Sequence, residues 1–169
     1  HPNIFACMVY SLNKKHLNIY GIDMAVKLIS EFNIEMKLFV SNDKKKDLSF
    51  LKEVCRNNNV EMKKIDIYYQ TEFVENILDC RFFIRPSRSD GYAVSLQESL
   101  DLGILPIASD VTSRPKGTLL FKTGDYTSLL KKVDYLLHLS NNEKDKLLKK
   151  KENLNYHKIL INYYNNSII

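Results

Sequence analysis

The sequence is poor in the residues that break regular structure, with five Gly and four Pro in 169 residues. No stretch is rich in Gly, Pro or Ser, so no linker or low-complexity tract is visible. No internal repeat is visible either, and residues 1–169 are expected to form one domain. No apolar run approaches the roughly 18 residues that a membrane-spanning helix needs. Cysteine is scarce: Cys7, Cys55 and Cys80 form no CxxC pair. The four histidines, His1, His16, His138 and His157, do not recur at ligand spacing. This excludes a disulfide framework, argues against a structural metal site and suits a reducing, cytoplasmic setting. The opening His1-Pro2-Asn3 is neither a signal peptide nor an ordinary start, so the chain is expected to be a fragment of a longer protein.

What is present suits a folded domain. Hydrophobic residues make up 44% of the chain, with ten Tyr and eight Phe. A chain of this length buries roughly 70% of the surface that it would expose unfolded. Lys and Arg exceed Asp and Glu by 25 to 20, a net charge of +5. That excess fits an anionic ligand, an anionic membrane surface or a nucleic acid, and selects none of them. The lysines are interspersed with acids, which argues against nucleic acid. Lys44-Lys45-Lys46 and Lys149-Lys150-Lys151 read first as solvated faces; contact with the inner face of a membrane is the alternative.

Short apolar runs alternate with helical periods. Ile4 to Tyr10, Met36 to Val40, Val60 to Ile67, Phe82 to Ile84, Leu105 to Ala108 and Leu119 to Phe121 read as strands. Ala25, Leu28, Ile29 and Phe32 have a helical spacing, as do Leu48, Leu51, Val54 and Cys55. Further helices are expected over Thr71 to Leu78, over Val94 to Leu102 and around Leu129 to Leu137. Gly103 stands where a helix-ending glycine belongs, and Ser140 to Glu143 forms a capping box that opens a lysine-rich helix. Ser11 to Asn18 reads as a loop. Continuous apolar strands alternating with helices predict an α/β, three-layer, Rossmann-like domain with a mostly parallel sheet. Such sheets bind ligands beyond the carboxyl ends of their strands.

One segment at such an end combines the right chemistry: Arg85-Pro86-Ser87-Arg88-Ser89-Asp90-Gly91-Tyr92-Ala93-Val94-Ser95-Leu96-Gln97-Glu98. Ser89, Asp90 and Gly91 make a polar turn that brings backbone close to a ligand. The helix after it offers free N–H groups and a positive dipole end, which suit phosphate. Ser95 adds a hydroxyl. Glu98, one turn into the helix, suits vicinal hydroxyls such as those of a ribose, and Asp90 suits the hydroxyls of a sugar. The plainer reading is a common Asp-Gly turn followed by dipole-partnering acids.

The run Pro86 to Tyr92, continued by Glu98-Ser99-Leu100-Asp101-Leu102-Gly103-Ile104-Leu105-Pro106-Ile107-Ala108-Ser109-Asp110, resembles the donor-site signature of retaining "group 1" GT-B glycosyltransferases. Seven residues separate its two acids, Asp90 and Glu98. Gly124-Asp125 ahead of the Leu129 helix matches the same order, and Ser113 to Thr118 resembles a branch with a shortened loop. The resemblance implies the C-terminal, donor-binding half of a two-domain hexosyltransferase-like enzyme of polysaccharide or glycolipid synthesis. Its substrate would be a nucleotide-sugar, with UDP or GDP as the nucleotide, and its partner a missing N-terminal acceptor domain. Asp90 would meet the donor sugar and Glu98 the ribose. The backbone of Gly91, Tyr92, Ala93 and Val94, with Ser95, would face the sugar and diphosphate, and the base would lie near Ile65 to Tyr69. No cofactor, metal or protein nucleophile is implied, and the isolated domain would bind donor without turning it over.

The sequence departs from that pattern in three places. Asp90 stands where the family usually has Glu, and Ala93 where it often has Gly. The family's diphosphate-clamping Arg and Lys fall at Ser11 and Tyr20, beside Tyr10 and Gly21. Lys14, Lys15 and Arg88 are the candidate replacement cations. Each has a plainer reading: solvated lysines, and an arginine on the surface or in an ion pair. His16 reads as an exposed histidine or a phosphate contact, Tyr68-Tyr69 as packing or a base stack, and Tyr163-Tyr164 as packing. The alternative to an enzyme is a non-catalytic nucleotide-binding or partner-binding module of the same fold.

Overall fold

The computed structural model describes residues 4–42, 47–69 and 73–148. The lysine runs at 44–46 and 149–151, and Tyr163-Tyr164, lie outside the described residues. Six strands, β1 (Ile4–Val9), β2 (Glu35–Val40), β3 (Ile65–Tyr69), β4 (Phe82–Arg85), β5 (Leu105–Ser109) and β6 (Leu119–Phe121), form one sheet in the order β3-β2-β1-β4-β5-β6. Every neighbouring pair is parallel. Seven helices connect and flank them among the described residues: α1 (Lys14–Ile19), α2 (Ile22–Phe32), α3 (Ser49–Asn57), α4 (Phe73–Ile77), α5 (Val94–Asp101), α6 (Tyr126–His138) and α7 (Asn141–Leu148).

The central strands are buried on both faces, which is why they read as unbroken apolar runs. One face meets α2, α3 and α6, and its core joins Phe5, Cys7, Leu38, Phe82 and Ile84 to Leu28, Leu51 and Val133. The other meets α4 and α5, where Ala6, Phe39, Phe83 and Ala108 pack with Ile77 and Leu96. This is the expected three-layer Rossmann-like architecture. Leu129, Val133 and Leu136 bury one stripe of α6, each contributing about 1.5–3 kcal/mol. Ser140 and Glu143 cap α7 reciprocally, at 3.0 Å from the Ser140 N–H to the Glu143 carboxylate. The three cysteines are buried free thiols.

The expected boundaries shift at three places. Ser11 to Asn18 is not all loop, because Asn13 Oδ1 accepts the His16 N–H at 2.9 Å and caps the short helix α1. Lys14 and Lys15 therefore stand on a helix. Strand β3 starts at Ile65 rather than Val60, because Met62 to Lys64 form a single 3-10 turn. Strand β1 ends at Val9, and Tyr10 turns out to solvent. No helix among the described residues is long and apolar enough to cross a membrane.

The strand order places β1 and β4 side by side at the centre, where the chain's winding reverses. At such a switch point the loops leaving the two strands diverge and open a crevice beyond their carboxyl ends. Those loops begin at Tyr10 and at Pro86.

Candidate functional site

Strand β4 stops where Pro86 removes a backbone donor. The loop after it is fixed against its neighbours by close contacts. Gly21, at φ 66°, lies against Pro86, where a Cβ would come within 2.0 Å of the Pro86 carbonyl oxygen. Only glycine fits that approach and that φ. The Arg88 N–H donates to the Ile19 carbonyl at 2.7 Å. The Arg88 guanidinium donates to both Asp23 oxygens, at 2.8 and 2.7 Å, and to the Asn18 carbonyl. The Ser109 hydroxyl donates to the Ser87 carbonyl at 2.6 Å, tying the same loop to β5.

Asp90 then turns inward. Arg85 Nε and Nη2 donate to its two carboxylate oxygens, the latter at 2.9 Å. Arg114, from the loop between β5 and β6, donates to Oδ2 at 3.0 Å and to the Gly91 carbonyl at 2.8 Å. Arg114 Nε also donates to the Ser109 carbonyl at 3.1 Å. The three side chains are only 9% (Arg85), 8% (Asp90) and 1% (Arg114) exposed. Burial pushes the Asp90 carboxyl up, but the hydrogen bonds and charge of Arg85, then of Arg114, outweigh it and hold the group below the usual carboxylate range. Burial alone would lower the Arg85 pKa, and Asp90 more than reverses that.

Beyond Asp90 the backbone opens into α5. Ala93, at φ 61°, precedes the helix in the left-handed region and offers no side-chain cap to its first N–H groups. Gly91, Tyr92 and Val94 are exposed, and Ser95 is buried, with its hydroxyl 3.5 Å from Arg85 Nη1. Glu98 stands one turn into α5, partly buried.

The expected residues thus divide. Asp90, Gly91, Tyr92, Ala93, Val94, Ser95 and Glu98 share the β4–α5 junction. Arg88 is held in its ion pair with Asp23, and Lys15 is exposed on α1. Ser11 is buried, accepting from Asn13 Nδ2 at 2.7 Å and hydrogen-bonded to His16 Nδ1 at 2.8 Å. His16 stands edge-on to Tyr10 and Tyr20 and is half-buried rather than freely exposed. Tyr68 stacks on Phe39 at 5.2 Å, which accounts for it as packing. Arg85 and Arg114, which hold Asp90, were not among the residues expected here. A charge closing an apolar strand, as in Phe82-Phe83-Ile84-Arg85, was the available signal, because burying it demands a partner acid.

No protein-family model matches the chain, and no curated protein sequence does. Solved structures do match. The lipopolysaccharide outer core galactosyltransferase WaaB, in its apo form, aligns with a TM-score of 0.65 at 15% identity, over 99% of this chain and 50% of that one. Sucrose-phosphate synthase (tll1590) from Thermosynechococcus elongatus aligns at 0.66 and 13%, over 97% and 45%. A mutant of TarM from S. aureus, in complex with Fondaparinux, alpha-GlcNAc-glycerol and UDP, aligns at 0.65 and 14%, over 88% and 30%. The chain spans half or less of each of these three. At such identities the likeness establishes the fold, and this chain has the Rossmann-like α/β fold found in GT-B glycosyltransferases.

Proposed function

We propose that the chain is the donor-binding domain of a retaining glycosyltransferase that takes a hexose from a UDP- or GDP-sugar, in polysaccharide or glycolipid synthesis. One observation carries the reading: at the switch point, an uncapped α5 N-terminus meets the Arg85–Asp90–Arg114 cluster, with Glu98 one turn into the helix. The backbone from Gly91 to Ser95 faces the diphosphate, and Glu98 accepts the ribose hydroxyls. Positive charge and helix N–H groups stabilise the diphosphate as it leaves. The leaving phosphate assists front-face attack by the acceptor, so no protein nucleophile is required. The fold match to a galactosyltransferase and to a complex with UDP supports this reading. Catalysis in this reading also requires an acceptor-binding domain.

A second reading has a specific motive. Ser11 and Tyr20 stand where the resemblance expects clamping cations, which would suit a binding module without catalysis. Titration with UDP, GDP and ADP, followed by backbone amide shifts, tests the proposal. It expects saturable shifts from Gly91 to Glu98 with one nucleotide. Shifts absent from that segment with all three would remove it.

A further inference from the structure

We infer that Arg85 is the cation that takes the diphosphate of the donor, and that Asp90 is a positioning residue for it rather than a contact to the sugar. The inference rests on the donor reading of this site and assigns its charge.

Two guanidiniums share one carboxylate, and among the described residues Asp90 is the only acid bonded to either arginine. All three side chains are at least nine-tenths enclosed, so one positive charge is left over where water screens it poorly. An arriving anion relieves that cost.

The two arginines differ in how fully their donors are used. Arg114 is committed: its three nitrogens go to the Ser109 carbonyl and hydroxyl, the Gly91 carbonyl and Asp90. Arg85 spends Nε and Nη2 on Asp90, and Nη1 has only the long 3.5 Å contact to Ser95 at the start of α5. Nη1 is therefore the donor in reserve.

The Arg85 guanidinium lies 5.1 Å from the centre of the Tyr20 ring, next to Gly21, where α2 begins. It thus sits between the N-termini of α2 and α5, neither of which has a side-chain cap. Two helix N-termini and a cation between them suit two linked phosphates better than one. Asp90 holds the guanidinium through two hydrogen bonds, and the Tyr20 ring lies against it.

The test compares diphosphate with nucleoside on this chain: UDP against uridine and GDP against guanosine, by calorimetry. The unaltered chain should bind one diphosphate at least roughly tenfold more tightly than its nucleoside. Arg85→Met should lower that ratio to about threefold or less, with nucleoside affinity unchanged. Should Arg85→Met fail to fold, Arg85→Lys decides, because a point charge cannot grip Asp90 and phosphate with one fork; its ratio should fall about threefold. An unchanged ratio in a folded variant overturns the assignment while leaving the donor reading standing. No binding of any diphosphate to the unaltered chain removes the donor reading, and the assignment with it. In Asp90→Asn, the affinity gained from UDP to a UDP-sugar, or from GDP to a GDP-sugar, should be unchanged; loss of that increment would return Asp90 to the sugar.

Discussion

The two loops that meet over the switch point are opposites. The one after β1 holds a neutral network, in which Ser11, Asn13 and His16 hydrogen-bond one another and the His16 ring meets Tyr10 and Tyr20 at 5.0 and 6.4 Å. The one after β4 carries Asp90, which meets Arg85 at the end of β4 and draws Arg114 across from the β5–β6 loop. They touch where Gly21 meets Pro86 and where Arg85 covers Tyr20. Topology decides where a crevice opens, and either wall can supply its charge. In this chain the wall after β4 supplies it, and the wall after β1 supplies aromatic surface and close backbone.

The largest effect expected is on the charged wall. Asp90→Ala leaves two guanidiniums enclosed without a carboxylate, and should cost about 3–5 kcal/mol in urea unfolding. Loss below about 1 kcal/mol would mean that the cluster is solvated and contributes little, as exposed pairs do. Acid sharpens the same point. The folded-state pKa of Asp90 is depressed, so its contribution is present above the unfolded carboxylate value of roughly 3.9 and is lost as pH falls from there through the folded value. Asp90→Asn should therefore flatten the dependence of stability on pH below about pH 4. An unaltered slope would place the acid sensitivity elsewhere.

On the neutral wall the expected effect is next in size. Gly21→Ala puts a methyl group into the Pro86 carbonyl and forces a left-handed φ on a residue with a Cβ. Overpacking and backbone strain together should cost roughly 3 kcal/mol in thermal or urea unfolding. A neutral result would show that the two walls are less tightly joined than this contact implies.

Sequence patterns made the sheet legible, because buried parallel strands are apolar throughout, and α6, because Leu129, Val133 and Leu136 keep a helical period. They hid α1, where Leu17 is the only buried residue and the helix depends on the local Asn13 cap. They placed β3 too early, since Val60 is apolar but precedes a turn rather than joining the sheet. The segment from Asp90 to Glu98 was visible by its spacing. The direction of the Asp90 carboxylate was not, because Arg114 reaches it from another loop, and only the folded sheet brings the two together. The expected cations, Lys14, Lys15 and Arg88, are near these loops in sequence, whereas the two guanidiniums on Asp90 come from β4 and the β5–β6 loop.

The smallest effect expected has the opposite sign and tests how firmly the charged wall holds its backbone. Ala93 is one of three non-glycine residues with positive φ among those described, and the other two are asparagines, which tolerate that region better. A left-handed alanine costs about 1–2 kcal/mol, and glycine returns roughly 0.5–1 of that as lost backbone entropy. Ala93→Gly should therefore stabilise the chain by about 0.5–1 kcal/mol, read as a higher urea midpoint at an unchanged slope. Stabilisation of that size would mean that the Asp90 cluster, through the Arg114 bond to Gly91, holds Ala93 in a conformation it would not choose. A loss of stability would mean that the Ala93 methyl, which packs against the α4–α5 side of the core, outweighs the strain it sits in.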